Sequence, residues 1–353
     1  MRATTAYVSS YVRPGAGTTA PAPGVHVLTA GADGRLDVRQ NVGSPDPTWL
    51  TLHPTGTVLY ACYSPAAPGA GCTIEAHRVE DDGLLTPISR TGIGPGSPAQ
   101  TVVHPTGRYL VVADYGAGEY QSFQIEDDGS LGDIIDTVRG TGSGPHPRQD
   151  AAHPHAVAFD PTGTYLVTAD LGADLVQVFR LVEGRFRLTS EAPVHRGSGP
   201  RHVAFARTAP VVYVVGELDG TITVLPLDPG TGTLGASVQR VATAPQDYAG
   251  VQSGAEIAVA PNGLHLYASN RGSQSIAAYA IAQDTGLLTP IGHVTDGIAG
   301  PTSFALAPNG HRLYVNSSEA DLIVPFVIDP AAGTLTRDGI GAVVRAPNVM
   351  VFG

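Results

Sequence analysis

The sequence predicts an all-β fold in which seven blades of four short antiparallel strands close into a β-propeller, a single domain over residues 1–353. Three observations predict it. First, 44 glycines and 29 prolines make up about a fifth of the 353 residues, yet 42% of the chain is hydrophobic and only 14% is charged. Such a chain can fill a core, but its turn residues divide it into short strands rather than long helices. It is also too apolar and too weakly charged to be disordered. Second, a turn glycine followed two residues later by Leu or Phe recurs at Gly34, Gly83, Gly129, Gly184, Gly232, Gly286 and Gly333, with spacings of 49, 46, 55, 48, 54 and 47 residues. A fixed period of this size marks an array of supersecondary units. Third, apolar segments ending in Pro-containing turns interleave with those glycines.

Each unit opens with one of these apolar segments: TWLTLHPTG, AQTVVHPTG, HAVAFDPTG, HVAFARTAP, EIAVAPNG and SFALAPNG. A second β-rich run follows in each, reading VLYACYS, YLVVADYG, YLVTADLG, VYVVGELDG, LYASNRGS and LYVNSSEA. A third short run, such as LVQVFRL or SIAAYAI, precedes the turn glycine. Short strands joined by tight turns are the composition of a propeller blade. The seventh apolar segment, NVMVFG, ends the chain, whereas the amino-terminal TAYVSSYV matches a second strand. The carboxy-terminal segment is therefore expected to supply the innermost strand of the blade whose other strands come from residues 3–42. That pairing joins the termini and leaves no open edge.

Composition narrows the chemistry. The twenty basic residues are all Arg, which excludes Schiff-base and P-loop lysine chemistry. A formal charge of −11 argues against a nucleic-acid partner. No apolar run follows Arg2 in the manner of a signal peptide, and no stretch is long and apolar enough for a membrane span. A cytoplasmic protein with no membrane partner is the expectation. Cys62 and Cys72 flank the short loop SPAAPGAG and are read as packed thiols, with a disulfide across the loop as the alternative.

Aligning the units places unlike residues in shared columns. The start of the innermost strand reads Thr48, Ala99, His155, Arg201, Ala255, Thr302 and Asn348. The end of the second strand reads Ser10, Tyr63, Asp114, Asp170, Glu217, Asn270 and Ser317, followed by Tyr11, Ser64, Tyr115, Leu171, Leu218, Arg271 and Ser318. Antiparallel neighbours bring these columns to one mouth of the central channel. The repeat itself needs only turns and apolar packing there, so a His, two Arg and several carboxylates call for another explanation. Two connections into this mouth are long, GTGSGPHPRQDAAHPH and ATAPQDYAGVQSG, and loops on a rigid scaffold are where sites are built. The first carries His146, Arg148, His153 and His155, but shows no compact set of three ligands, so neither a metal nor another cofactor is expected.

Each candidate also has a structural alternative. His155 would then be a hydrogen-bonded structural histidine, and Arg201 and Arg271 would tie blades together through Asp114, Asp170 or Glu217. His53 and His104 precede Pro in a repeated turn and are read as structural.

The segments HPTGRYLVVADYG, PHAVAFDPTGTYLVTADLGAD, GSGPRHVAF, VYVVGELDGTI and LYASNRGSQSI resemble the lactonase family of seven-bladed propellers. That family includes propeller-type 6-phosphogluconolactonases and carboxy-cis,cis-muconate cyclases. The resemblance covers nearly the whole chain and implies a catalytic set of His155, Arg201, Glu217 and Arg271, the residues the columns also single out. Two positions depart from the family pattern. Gly216 stands where Asn often precedes the Glu, and Asp114 stands where Asn is frequent. The family's His-x-His pair is present as His153 and His155.

The resemblance implies a lactone hydrolase acting on a small-molecule lactone or carboxylate, 6-phosphogluconolactone being one candidate. Glu217 or His155 would serve as general base and acid, Arg201 and Arg271 as donors to the oxyanion and substrate anion. His153, Arg148, Asp170 and Asp114 are the candidate substrate-binding residues. The alternatives are a lactonising or cyclising enzyme, which would use the same groups, and a noncatalytic binding propeller. The oligomeric state is open.

Overall fold

The structure is a computed structural model that describes residues 4–11, 23–31, 33–43, 46–64 and 71–353. Arg2 and residues 65–70 of the loop between the two cysteines lie outside the described residues. Seven antiparallel sheets form the blades of a propeller. In order, the innermost strands are Pro47–Leu52, Pro98–Val103, Pro154–Phe159, Pro200–Phe205, Gly254–Val259, Pro301–Leu306 and Pro347–Phe352. They open blades 1 to 7. Six of the seven begin with proline, which has no N–H to leave unpaired at the first residue of an edge strand.

Blade 7 closes the ring. Its inner strand, Pro347–Phe352, pairs with Thr4–Ser10 through Ala6–Phe352, Tyr7–Val351 and Val8–Met350. The remaining strands of that blade are Gly24–Ala30 and Leu36–Val42. The carboxy terminus thus completes the blade begun by the amino terminus, as the sequence predicted. Blade 6 departs slightly from the pattern, because two short strands, Leu335–Arg337 and Ala342–Val343, share its third strand, Leu322–Ile328.

The core lies between blades rather than within them. Among the described residues, buried apolar side chains form seven clusters, one at each blade-to-blade interface. The repeated turn glycines fasten the same interfaces. Each has positive φ, between 71° and 88°, and each carbonyl accepts a hydrogen bond from the preceding blade. Tyr7, Tyr60, Tyr213, Tyr267 and Tyr314 donate to Gly83, Gly129, Gly286, Gly333 and Gly34 at 2.7–3.2 Å. Blades 2 and 3 lack that tyrosine and use Ser122 and Ser190, which donate to Gly184 and Gly232 at 2.6 and 2.7 Å.

Cys62 and Cys72 are free and buried, in the cluster between blades 1 and 2. Burial pushes their thiols up to about 12 and 11. Among the described residues no helix is long and apolar enough to cross a membrane.

Candidate active site

The second residues of the innermost strands are Thr48, Ala99, His155, Arg201, Ala255, Thr302 and Asn348, the column expected at the mouth. Several of these side chains stitch neighbouring blades together. Thr48 Oγ1 donates to Pro98 O at 2.9 Å, and Asn348 Nδ2 donates to Thr48 O at 2.9 Å across the closure. Arg201 Nη1 makes the corresponding bond to Ala255 O at 2.9 Å, leaving the rest of a larger head group for other partners.

The second-strand column needs one correction. Pro98, Pro154, Gly254 and Pro301 pair with Asp114, Asp170, Asn270 and Ser317, but Pro200 pairs with Gly216 rather than Glu217. Glu217 therefore stands with Tyr115, Leu171, Arg271 and Ser318. Each of these five donates its backbone N–H to the loop that enters the innermost strand, at Ser97, Gly199, His153, Ser253 or Gly300. The matching acid–Leu pairs, Asp170-Leu171 and Glu217-Leu218, point sequence alignment to the wrong register. Successive side chains of an extended segment face opposite ways, so one residue of shift separates a staple from a site residue.

Asp114 and Asp170 are the staples. Asp114 Oδ1 accepts from the Ser97 and Ala117 amides at 2.7 and 2.9 Å. Asp170 Oδ1 accepts from the His153, Gly172 and Ala173 amides at 2.7, 3.0 and 3.0 Å. Burial raises both carboxyls above the usual range, against these amide bonds. The structure does not bring either one into the cluster at the mouth. In blade 4 the corresponding residue is Gly216, where a Cβ would collide with the carboxylate of Asp219.

Glu217 is the hub of the cluster and is 4% exposed. Its Oε1 accepts from Arg148 Nη1 and, at 2.9 Å, from Arg271 Nη2. Its Oε2 accepts from Arg201 Nε at 3.0 Å and lies 3.8 Å from His155 Nε2. His155 and Arg201 come from adjacent innermost strands, and Glu217 and Arg271 occupy one column in adjacent blades. Arg148 arrives from the long loop, which is firmly anchored. The fully buried Gln149 donates to Leu171 O and Asp174 Oδ1, both at 2.8 Å. Asp174 in turn accepts from the amides of Gly197 and Gly199. His153 sits at the edge of the cluster, stacked on Tyr115 with ring centres 4.3 Å apart. Its ring nitrogens lie 3.0 Å from Tyr115 O and from Asp150 Oδ1.

The electrostatics follow from this packing. Burial alone would raise the Glu217 carboxyl, but Arg271, Arg201, His155 and Arg148 more than offset it and hold the group well below the usual carboxylate range. Burial, then Arg201 and His202, hold His155 well below the ordinary imidazole value despite Glu217. Its ring is therefore neutral at pH 7. Its buried Nδ1 has no partner among the described residues. Burial and Arg271 bring Arg201 down to about 10, against Glu217 and Glu256, so it remains a cation at neutral pH. Three guanidiniums around one carboxylate leave the hub positively charged on an acidic chain, an arrangement suited to an anion.

Two residues beside the hub, the buried His202 and the half-buried Glu256, escaped the sequence reading. His202 Nδ1 lies 3.0 Å from Glu256 Oε1, and the His202 ring packs edge-on against Trp49 and His155, with centroids 5.2 and 5.3 Å away. Both are third residues of innermost strands. That column reads Trp49, Gln100, Ala156, His202, Glu256, Ser303 and Val349, as irregular as the second, and comparing it would find them.

His53 and His104 bond the hydroxyls of Thr55 and Thr106 in their turns. Surface clefts of 390–540 Å³ are lined by such turns, at the other ends of the strands. Among the described residues no group of three or more His, Cys, Asp or Glu is arranged to hold a metal ion.

Residues 5–352 match the family described as Lactonase, 7-bladed beta-propeller. An uncharacterized protein of Lactococcus lactis subsp. cremoris is 38% identical over 239 residues, 67% of each chain. The 6-phosphogluconolactonase of Bacillus subtilis is 29% identical over 260 residues, 73% of each chain. Among solved structures, a periplasmic gluconolactonase of Pseudomonas aeruginosa superposes with a TM-score of 0.90 at 26% identity, covering 99% of both chains.

Proposed function

This chain belongs to the lactonase family of seven-bladed β-propellers, and on that premise we propose that it hydrolyses a lactone at the channel mouth, using His155, Arg201, Glu217 and Arg271. The observation that carries the reading is the hub itself, where a neutral imidazole and three guanidiniums surround one buried carboxylate. Lactone opening needs two things at one place. The carbonyl oxygen becomes an oxyanion when water adds, and fixed cationic donors stabilise it. The attacking water must also lose a proton.

Among the hub groups the neutral His155 is suited to take that proton. Glu217 is unavailable as a base because both of its carboxylate oxygens are already taken by guanidiniums, so its part is to hold them in place. Water adds to the carbonyl carbon while His155 accepts its proton, and Arg201 and Arg271 donate to the oxyanion. When the intermediate collapses, the bond from the acyl carbon to the ring oxygen breaks. The imidazolium then returns its proton to that oxygen, leaving a hydroxy acid and a neutral His155. Arg148, beside the stacked Tyr115 and His153, meets an anionic group carried by the substrate. The name of the Bacillus relative makes a phosphorylated sugar lactone the first substrate to try.

The test is a panel of sugar and simple lactones, with and without phosphate, assayed with and without chelator. The expected result is chelator-insensitive hydrolysis, faster for the phosphorylated lactone and with that preference reduced in Arg148→Ala. No hydrolysis of any lactone, or activity restored only by a divalent ion, would overturn the proposal. Ring closure of an unsaturated diacid without lactone opening would replace it with the cyclase reading.

A further inference from the structure

The mechanism leaves unused the pair of buried His202 and half-buried Glu256, although it lies directly against the hub. His202 is 1% exposed. Its Nδ1 is 3.0 Å from Glu256 Oε1, and the same carboxylate oxygen accepts from the Ile257 amide at 3.0 Å. An ionised carboxylate only accepts, so the proton between the two side chains belongs to His202 Nδ1. Burial, the largest influence, lowers the His202 pKa, with Glu256 acting against it. Glu256 is held below its ordinary value by His202 and Arg201 against its own burial. A single proton, on Nδ1, is the state these surroundings favour.

The position of Arg201 gives the pair a purpose. Arg201 Nη1 lies 3.2 Å from both ring nitrogens of His202. Equal distances cannot be met along either lone pair. In the ring plane they would drive Nη1 into Cε1, so the nitrogen lies over the ring face. A neutral imidazole offers a cation its π-surface there, whereas an imidazolium would repel it. The other sides of the guanidinium are committed, with Nε to Glu217 and Nη1 to Ala255 O. Among the described residues Nη2 has no hydrogen-bond partner, and it is the nitrogen left for a ligand.

We propose that His202 and Glu256 are positioning residues for lactone hydrolysis: Glu256 fixes His202 as the Nδ1–H tautomer, and the His202 ring carries the Arg201 guanidinium on its face so that Nη2 is directed at the substrate. The edge contact between His202 and His155 places the proton acceptor and the oxyanion donor on one support. A carbonyl oxygen and a water can then be met in fixed relative geometry. This role rests on the lactonase reading of the mouth, whereas the tautomer and the stacking do not.

Two measurements test it together. Nitrogen-15 NMR of histidine-labelled protein reports the His202 tautomer, assigned by its loss in His202→Phe. The expected spectrum has a protonated Nδ1 and a bare Nε2 at pH 7, with that preference relaxed in Glu256→Gln. Kinetics on the best lactone should give a kcat about tenfold lower for Glu256→Gln with KM changed by less than about threefold, because misplacing a donor weakens the transition state more than ground-state binding. His202→Phe, which keeps a flat ring beneath the guanidinium, should retain more kcat than His202→Ala. An Nε2–H tautomer or an imidazolium at pH 7 would overturn the proposal. So would wild-type kcat in the folded fraction of Glu256→Gln and His202→Ala, since lowered melting alone is what mere packing would give. If the wild-type protein opens no lactone, the functional reading fails, and the NMR result still decides the tautomer.

Discussion

At Glu217 two carboxylate oxygens serve three guanidiniums and face one imidazole, and this crowding sets the acid–base roles. A base must be unprotonated to act, and burial with Arg201 and His202 keeps His155 unprotonated well below its ordinary value, about 6.5. The acid limb of kcat/KM should therefore lie well below the ordinary imidazole value, leaving the rate flat through neutrality. His155→Gln should lose most of the rate at every pH. A limb centred near 7, or one unchanged in His155→Gln, would move the base elsewhere.

The sequence exposes His155, Arg201 and Arg271 because a His and two Arg stand where other units carry Thr, Ala, Asn, Ser, Tyr or Leu. The register of Glu217 is not legible in the same way. Its neighbour Leu218 imitates Leu171, and only strand pairing shows that Gly216, not Glu217, answers to Asp170. Asp114 and Asp170 attract the same functional reading because their type is visible and their direction is not. Turned into their loops, they serve the backbone.

At the scale of the element, the turn glycine of each blade carries the interface. Tyr60 donates to Gly129 O at 2.9 Å from the neighbouring blade, and Tyr60→Phe should cost about 1 kcal/mol by removing a net hydrogen bond. Gly129→Ala should cost more, about 2 kcal/mol or above, for two reasons. The residue has φ +88°, and an added Cβ would press to 2.6 Å of Val58 Cγ2. Denaturant midpoints of the two variants check the order; equal losses would mean that the turn's backbone is not what the repeat selects.

The glycine signature itself is readable because no other residue adopts that conformation as easily. Its partner is not, since donor and acceptor lie 69 residues apart in the case of Tyr60 and Gly129 and belong to different units. The replacement of Tyr by Ser122 and Ser190 in blades 2 and 3 is likewise seen only in three dimensions.

For the whole molecule, the ring depends on a strand supplied by the end of the chain. Deleting Pro347–Gly353 removes the inner strand of blade 7, exposes the edge of Thr4–Ser10 and opens the apolar clusters on both sides of that blade. The truncated chain should fail to accumulate as a soluble folded monomer, measured by size-exclusion chromatography and circular dichroism. Normal melting of the truncation would mean that the blade holds without its closure.

The same ring brings together residues from blades 3, 4 and 5 that are far apart in sequence, and the central claim is that this convergence opens lactones. Turnover of the best lactone and melting temperature, measured side by side for Arg201→Ala and Arg271→Ala, test it most directly. Loss of a fixed oxyanion donor should lower kcat by about 10²–10³, with Arg→Lys at either position recovering only part because the fork is lost. Unchanged turnover in both alanine variants, with only the melting temperature lowered, would contradict the claim and leave the arginines as ties between blades.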